Sequence, residues 1–328
     1  MKKAAWILAI VFGLAFVGTA LLNADLIVTS HEALARGVLR TPASAAPARY
    51  QLVVVMPDTD DSFFRGLTDG IQHSAGAADA AVQVFRYPGS STSEAERYFE
   101  IALLAKVDGL IMYTPRNDLV ADRSNRASRS GVAFVPVGTD APNGAKRGFI
   151  GSGSLLQGFE GGKIICAALG SAARVGVILP ATGTGDLWDE LLYRGVASAV
   201  GTYQGAAITS VVRARPGILS GEEAAARMLR AHPQVNALFC SNAQDTEGAA
   251  QVVVDANRVG SVLIVGADET PDIDRYIDKG VVAASIVRDS RRIGEEAVAA
   301  FVRLKEGKPP GAAIEVGFTI RSSEGDER

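Results

Sequence analysis

Gln51-Leu52-Val53-Val54-Val55-Met56, followed a few residues later by Asp60-Asp61-Ser62-Phe63-Phe64, is the stretch from which the fold can be read. A run of β-branched residues with no polar alternation is a strand covered on both faces, which occurs in parallel sheets flanked by helices. The amphipathic segment Phe63–Ala78 supplies the first such helix. Outward from it the alternation continues. Strands are predicted at Val82–Tyr87, Gly109–Tyr113 and Phe134–Val137, with helices at Ser93–Ala105 and Leu119–Ser130 between them. After Phe149-Ile150-Gly151 a second series follows, with strands at Val175–Leu179, Ile208–Val212, Ala237–Cys240 and Val262–Val265. Its helices are read at Leu156–Leu169, Leu191–Thr202, Glu222–Ala231 and Thr246–Asn257.

Each series predicts an open, doubly wound parallel sheet, with functional loops beyond the carboxyl ends of its strands. The tail adds a helix at Asp272–Lys279, a strand at Ala283–Val287, a helix at Ile293–Leu304 and a strand at Ile314–Ile320. Two self-contained domains would leave this tail surplus, so the chain is expected to cross back between two α/β lobes through three linking segments that act as a hinge. The expected division is 50–151 with 289–313 in the N-terminal lobe, and 152–288 with 314–328 in the C-terminal lobe.

Lys2 and Lys3 precede an uncharged run from Ala4 to Leu22, so residues 1–24 are expected to be a signal peptide or an N-terminal membrane anchor. Gly18-Thr19-Ala20 offers a small-x-small cleavage site. Residues 25–49, ending in an Ala/Pro/Ser-rich stretch, are expected to be a linker. This placement is extracytoplasmic, in the periplasm or on the outer face of the membrane.

The 328 residues carry a formal net charge of −3, without the basic field that nucleic-acid binding needs. The two cysteines, Cys166 and Cys240, lie in apolar stretches and read as small buried hydrophobes, although spacing alone leaves a disulfide open. His31, His73 and His232 are too dispersed for a metal site. The serines of Gly151-Ser152-Gly153-Ser154 lack a nucleophile elbow, and Pro180-Ala181-Thr182-Gly183-Thr184-Gly185 lacks the Gly-Lys-Ser/Thr of a phosphate loop. No catalytic residue, cofactor or metal is expected.

Four segments, in this order and spacing, carry a resemblance. They are Asp60–Phe64 after the first strand, Val107-Asp108-Gly109-Leu110-Ile111, Ala231-His232-Pro233 through Ser241-Asn242, and Val265-Gly266-Ala267-Asp268-Glu269-Thr270-Pro271. Across Tyr50–Arg321 the chain resembles the ribose/galactose-type periplasmic sugar-binding proteins. This family has the type I periplasmic binding fold, shared with the core of lactose-repressor-type regulators. The resemblance implies a non-enzymatic, monomeric solute-binding protein that closes two lobes on a sugar-like ligand and delivers it to an ABC transporter permease. The alternative is a membrane-anchored sensor signalling to a kinase, which the long Ala4–Leu22 run favours.

The resemblance also places ligand contacts. Asp61, Phe63 and Phe64 would meet ligand from the first lobe, although Asp61 could equally be an N-cap and the rings a hydrophobic staple. Asn242 and Asp268, at strand ends of the second series, would bind hydroxyls, with helix capping as the alternative role. Arg288 would contact ligand at a crossover, or else form a hinge salt bridge. Departures from the ribose pattern fall at Tyr113, where an asparagine is expected, at Gly138-Thr139-Asp140, and at Asp186-Leu187-Trp188-Asp189-Glu190. Tyr113, Asp140 and Trp188 are therefore expected to set a specificity other than ribose.

Overall fold

The computed structural model describes residues 48–89, 91–114, 119–138, 149–181, 187–308 and 313–327. From Arg49 onward they form one compact unit built on two sheets. The first lobe starts with β1 (Tyr50–Asp58), α1 (Ser62–Ala77), β2 (Ala80–Pro88), α2 (Thr92–Leu104), β3 (Gly109–Thr114), α3 (Val120–Ser130), β4 (Ala133–Gly138) and the short β5 (Ile150–Gly151). The second follows with α4 (Ser154–Leu169), β6 (Arg174–Pro180), α5 (Leu187–Gly201), β7 (Ala207–Ala214), α6 (Ile218–Ala231), β8 (Ala237–Cys240), α7 (Ala243–Asp255), β9 (Leu263–Ala267), α8 (Pro271–Asp278) and β10 (Ala284–Arg288). The chain then runs through α9 (Ser290–Lys305), β11 (Ile314–Glu315), β12 (Phe318–Ser322) and β13 (Gly325–Glu327).

Among the described residues the first sheet has the order β11-β5-β4-β3-β1-β2, all parallel, and the second β13-β12-β10-β9-β8-β6-β7. In the second sheet β7 to β10 are parallel and β12 and β13 are added antiparallel. Both sheets share a switch point, between β1 and β3 in one and between β6 and β8 in the other, where successive connections leave in opposite directions. Open α/β sheets place ligand sites at such crevices, beyond the carboxyl ends of the strands.

Local sequence explains the element boundaries. Asp61, Ser91, Asn242, Thr270 and Asp289 each accept a backbone N–H at the head of the helix that follows, and Gly131 ends α3 at φ 75°. Apolar strand residues make the cores. Leu52, Val54, Met56 and Ile111 pack with Phe64, Leu67 and Ile71 of α1 and with Ile293, Val298 and Phe301 of α9.

The tail thus completes the first lobe, and α9 sits unusually close to α1. A Cβ on Gly294 would come within 2.4 Å of the Leu67 carbonyl oxygen, and one on Gly70 within 2.0 Å of that of Arg291. Only glycine allows backbones to meet in this way.

The chain passes between the sheets after Gly151, after Arg288, and between Glu315 and Phe318. The last crossing corrects the single strand read over Ile314–Ile320. Ile314 and Glu315 pair with β5 of the first sheet, Val316 donates to the Gly151 carbonyl at 2.7 Å, and only from Phe318 does the chain join β10. The alternating pattern runs unbroken through Gly317, so it could not show the change of partner.

Among the described residues no helix is long and apolar enough to cross a membrane, and the Ala4–Leu22 run lies outside them.

Candidate functional site

The carboxyl ends of the strands converge on a cavity of about 350 Å³, at the small end of the roughly 300–1,000 Å³ usual for ligand pockets. Each lobe supplies a wall. Asp58 ends β1, Thr59 and Asp61 follow it, and Tyr113 lies one residue from the end of β3. From the second lobe come Pro180 at the end of β6 with Ala181 after it, Arg215 and Pro216 after β7, Asn242, Gln244 and Asp245 after β8, and Arg288 at the end of β10. Outside lies a larger depression that shares Arg215, Pro216 and Gln244 with the cavity and reaches Asp60, Arg65, Leu219 and Asp272.

Three rings form the apolar wall. Phe64 meets Tyr113 edge-on with centroids 4.9 Å apart and meets Phe63 at 5.2 Å. Phe63 and Phe64 belong to the first turn of α1, whose helical spacing turns them inward, and both are also core residues. A wall of this kind suits the C–H face of a small polar molecule.

Phe63 is shared between lobes, because the Arg288 guanidinium lies 4.2 Å from its ring centroid. Arg288 in turn grips Asp268: Nε donates to Oδ1 at 2.8 Å and Nη2 donates to Oδ2. Both side chains are buried, 9% and 5% exposed, so the pair survives only because each charge has the other. Burial disfavours the guanidinium, and Asp268 outweighs that effect and holds it protonated.

Asp268 itself adopts φ 62°, a left-handed conformation that aspartate tolerates better than most residues. Its N–H donates to the Ile286 carbonyl at 2.8 Å and its carbonyl accepts from Ser285 Oγ at 2.6 Å, which pins the turn against β10.

Asp61 and Asn242 each head a helix. Asp61 Oδ1 accepts from the Phe63 N–H at 2.9 Å, and Asn242 Oδ1 accepts from that of Asp245 at 2.8 Å. Burial, reinforced by Asp268 and opposed by Arg288, pushes the Asp61 carboxyl up to about 6. Asn242 Nδ2 donates to Asp245 Oδ2 at 2.6 Å. Burial raises Asp245 to about 7, with the Asn242 bond opposing and the charges of Asp61 and Asp189 adding to the rise. Asp189, 1% exposed, pairs with Arg213 Nη1 at 2.5 Å.

Of the residues expected at the site, Asp61, Phe63, Phe64, Tyr113, Asn242 and Arg288 line this one cavity. Asp268 stands behind Arg288, with both oxygens engaged there. The capping roles of Asp61 and Asn242 and the salt bridge of Arg288 coexist with positions in the cavity wall. Asp140 lies outside the described residues, as does the Trp188 side chain. Sequence reasoning missed Asp245 and Arg215. Asp245 carried a signal, since an acid three residues after an N-cap asparagine is the spacing of a reciprocal cap. Arg215 had none, because only the fold brings the end of β7 to the cleft.

A family model described as "Periplasmic binding protein domain" matches residues 52–309. The chain is 24% identical over 283 residues to the ribose import binding protein RbsB of Escherichia coli (strain K12), covering 85% of this chain and 93% of that one. It superposes with a TM-score of 0.75 on GanP, a glucose-galactose binding protein from Geobacillus stearothermophilus, at 24% identity, covering 84% of this chain and 98% of that one. A chain of a XylFII–LytSN complex matches with a TM-score of 0.78 at 23% identity, covering 85% of this chain and all of that one.

Proposed function

Since the chain belongs to the periplasmic binding protein domain family, we propose that it captures a small sugar-like solute in the interlobe cavity outside the cytoplasm and presents it to an ABC-type importer. One observation carries the reading. The strand-end loops of both lobes meet at an aromatic-walled cavity with polar groups from each side: Asp61 and Tyr113 from the first, Asn242, Asp245 and Arg288 from the second.

A ligand bridging these groups favours the closed arrangement because only there can it contact both lobes. Closure is then driven by its differential affinity for that state. Relatives in the family are named for binding and import, and the cleft's residues do the work of recognition rather than of chemistry.

A thermal-shift panel of pentoses, hexoses, polyols and their amino and acidic derivatives tests this. A ligand at 100 times its Kd stabilises by about 2.7 kcal/mol, and Arg288→Ala should remove that shift. A panel without a single shift would sink the reading.

A second reading is favoured by the uncharged Ala4–Leu22 run and agrees with the match to the XylFII–LytSN complex: a tethered protein that passes ligand-driven closure to a sensor. Mass measurement of the native N-terminus separates the two. A chain beginning near Leu21 removes the tether, and an intact start favours it.

A further inference from the structure

The charges around the cavity do not balance. Arg288 and Asp268 neutralise each other, and Arg213 matches Asp189. At the rim the exposed Asp58 and Arg215 have opposite signs. That leaves Asp61 from the first lobe and Asp245 from the second, with exposed Arg65 on α1 and Arg288 as the cations whose fields reach Asp61.

Each of the two carboxylates uses one oxygen locally, Asp61 Oδ1 at the Phe63 N–H and Asp245 Oδ2 at Asn242 Nδ2. The other oxygens, Asp61 Oδ2 and Asp245 Oδ1, accept no hydrogen bond among the described residues, although Asp245 is only 2% exposed and lines the cavity. Neither is sealed away as a buried orphan; both belong to residues lining the cavity, where a donor on a ligand can reach them.

Asp61, Asp245 and Asp268 are all of like sign, and across the cleft Asp61 feels the charge of Asp268 and Asp245 that of Asp61. Whatever makes the closed state favourable must bring donors and preferably positive charge. A hydroxyl brings one donor and no charge, whereas an ammonium brings a full charge and three donors. An acidic or phosphorylated ligand would add a further anion. A metal ion is a poorer fit, since no group of three His, Cys, Asp or Glu able to hold one occurs among the described residues.

Resting on the solute-binding reading above, we infer that the ligand carries a protonated nitrogen lodged between Asp61 and Asp245, as in an amino sugar or an aminated polyol. The rings of Phe64 and Tyr113 then cover its apolar face. Until a ligand binds, the raised pKa values, about 6 for Asp61 and about 7 for Asp245, mean that protons partly stand in for this cation near neutrality. Acidification therefore competes with an amine.

Calorimetry on the full chain with matched probes tests this: D-glucosamine against D-glucose, D-galactosamine against D-galactose, and 1-amino-1-deoxysorbitol against sorbitol. In at least one pair the amine should bind about tenfold tighter or better, and weaken as pH falls from about 7 to about 5. Asp61→Asn and Asp245→Asn should each lower amine affinity about tenfold or more and change that of the neutral partner by less than about threefold. Neutral probes binding as well as or better than their amines would overturn this inference and leave the solute-binding reading standing. Silence from all six probes, with a shift from another neutral or acidic solute in the broader panel, does the same. Silence across both panels removes both.

Discussion

Replacing Asp245 by asparagine keeps the side chain's shape and the contact with Asn242 while removing a charge that the folded chain holds at a disadvantage. The carboxyl titrates at about 7 instead of 3.8. About three pH units at about 1.36 kcal/mol each set a ceiling of roughly 4 kcal/mol on the cost of ionising it in the folded protein. Two losses offset the gain. Asp245 lies in the first turn of α7, where a negative charge contributes about 0.3–1 kcal/mol, and the new amide N–H groups need acceptors, at about 1 kcal/mol.

A net stabilisation of roughly 1–3 kcal/mol remains at about pH 8, or about 2–4 °C in Tm per kcal/mol. The sign with pH is fixed by linkage. A carboxyl raised on folding is destabilising where it is ionised, so the contribution of Asp245 to wild-type stability falls as pH rises from about 4 to about 7 and changes little above that. The variant's advantage should therefore be near zero at about pH 4, grow through the window and level off. Thermal melts of both proteins at several pH values measure it directly. An advantage independent of pH would mean that packing, not charge, is responsible. A variant less stable than wild type at about pH 8 would refute the burial argument altogether.

Other consequences can be checked on the unliganded protein. Arg288→Met leaves Asp268 buried without its partner and should cost about 3–5 kcal/mol in urea melts, whereas adding Asp268→Asn should recover part of the loss; equal losses in single and double variants would deny the coupling. Gly294→Ala forces a methyl onto the Leu67 carbonyl and should cost about 1–3 kcal/mol, while Gly76→Ala, which faces open space in α1, should be neutral or stabilise by up to about 1 kcal/mol; similar effects of both on Tm would disprove the close helix contact. Cys166 and Cys240 are free and buried, and burial raises both thiols. A thiol reagent should titrate two groups after unfolding and neither before, so rapid labelling of the native protein would contradict their placement.

The elements were legible because local signals agreed. Continuous runs such as Leu52–Met56 and Ala237–Cys240 mark strands covered on both faces, and capping residues such as Asp61 and Asn242 mark where helices begin. Two resemblance-bearing segments, Asp60–Phe64 and the one ending at Asn242, also sit at the cleft. What the sequence did not reveal depends on meetings between distant residues. The Asp268–Arg288 pair forms because a left-handed turn at Asp268 aims its carboxylate at the end of the adjacent strand. Nothing within 20 positions of sequence states that φ will be positive there. The imbalance at Asp61 and Asp245 is equally non-local, since it appears only after the arginines have been assigned to their partners. At Ile314–Ile320, hydrophobic alternation continues across a change of sheet, so it does not say which sheet each half joins.

The three crossings between sheets also govern the order in which this chain can become a folded object. The first lobe's core is unfinished without Phe301 and Val316, residues encoded some 250 positions after its opening strand. A chain emerging amino end first, from a ribosome or through a membrane channel, must deliver nearly all of itself before that lobe can close. Contacts of such long range form slowly. The topology thus keeps the leading half threadable until the trailing end arrives, and no single cut separates the molecule into two lobes that could each be produced as a continuous fragment.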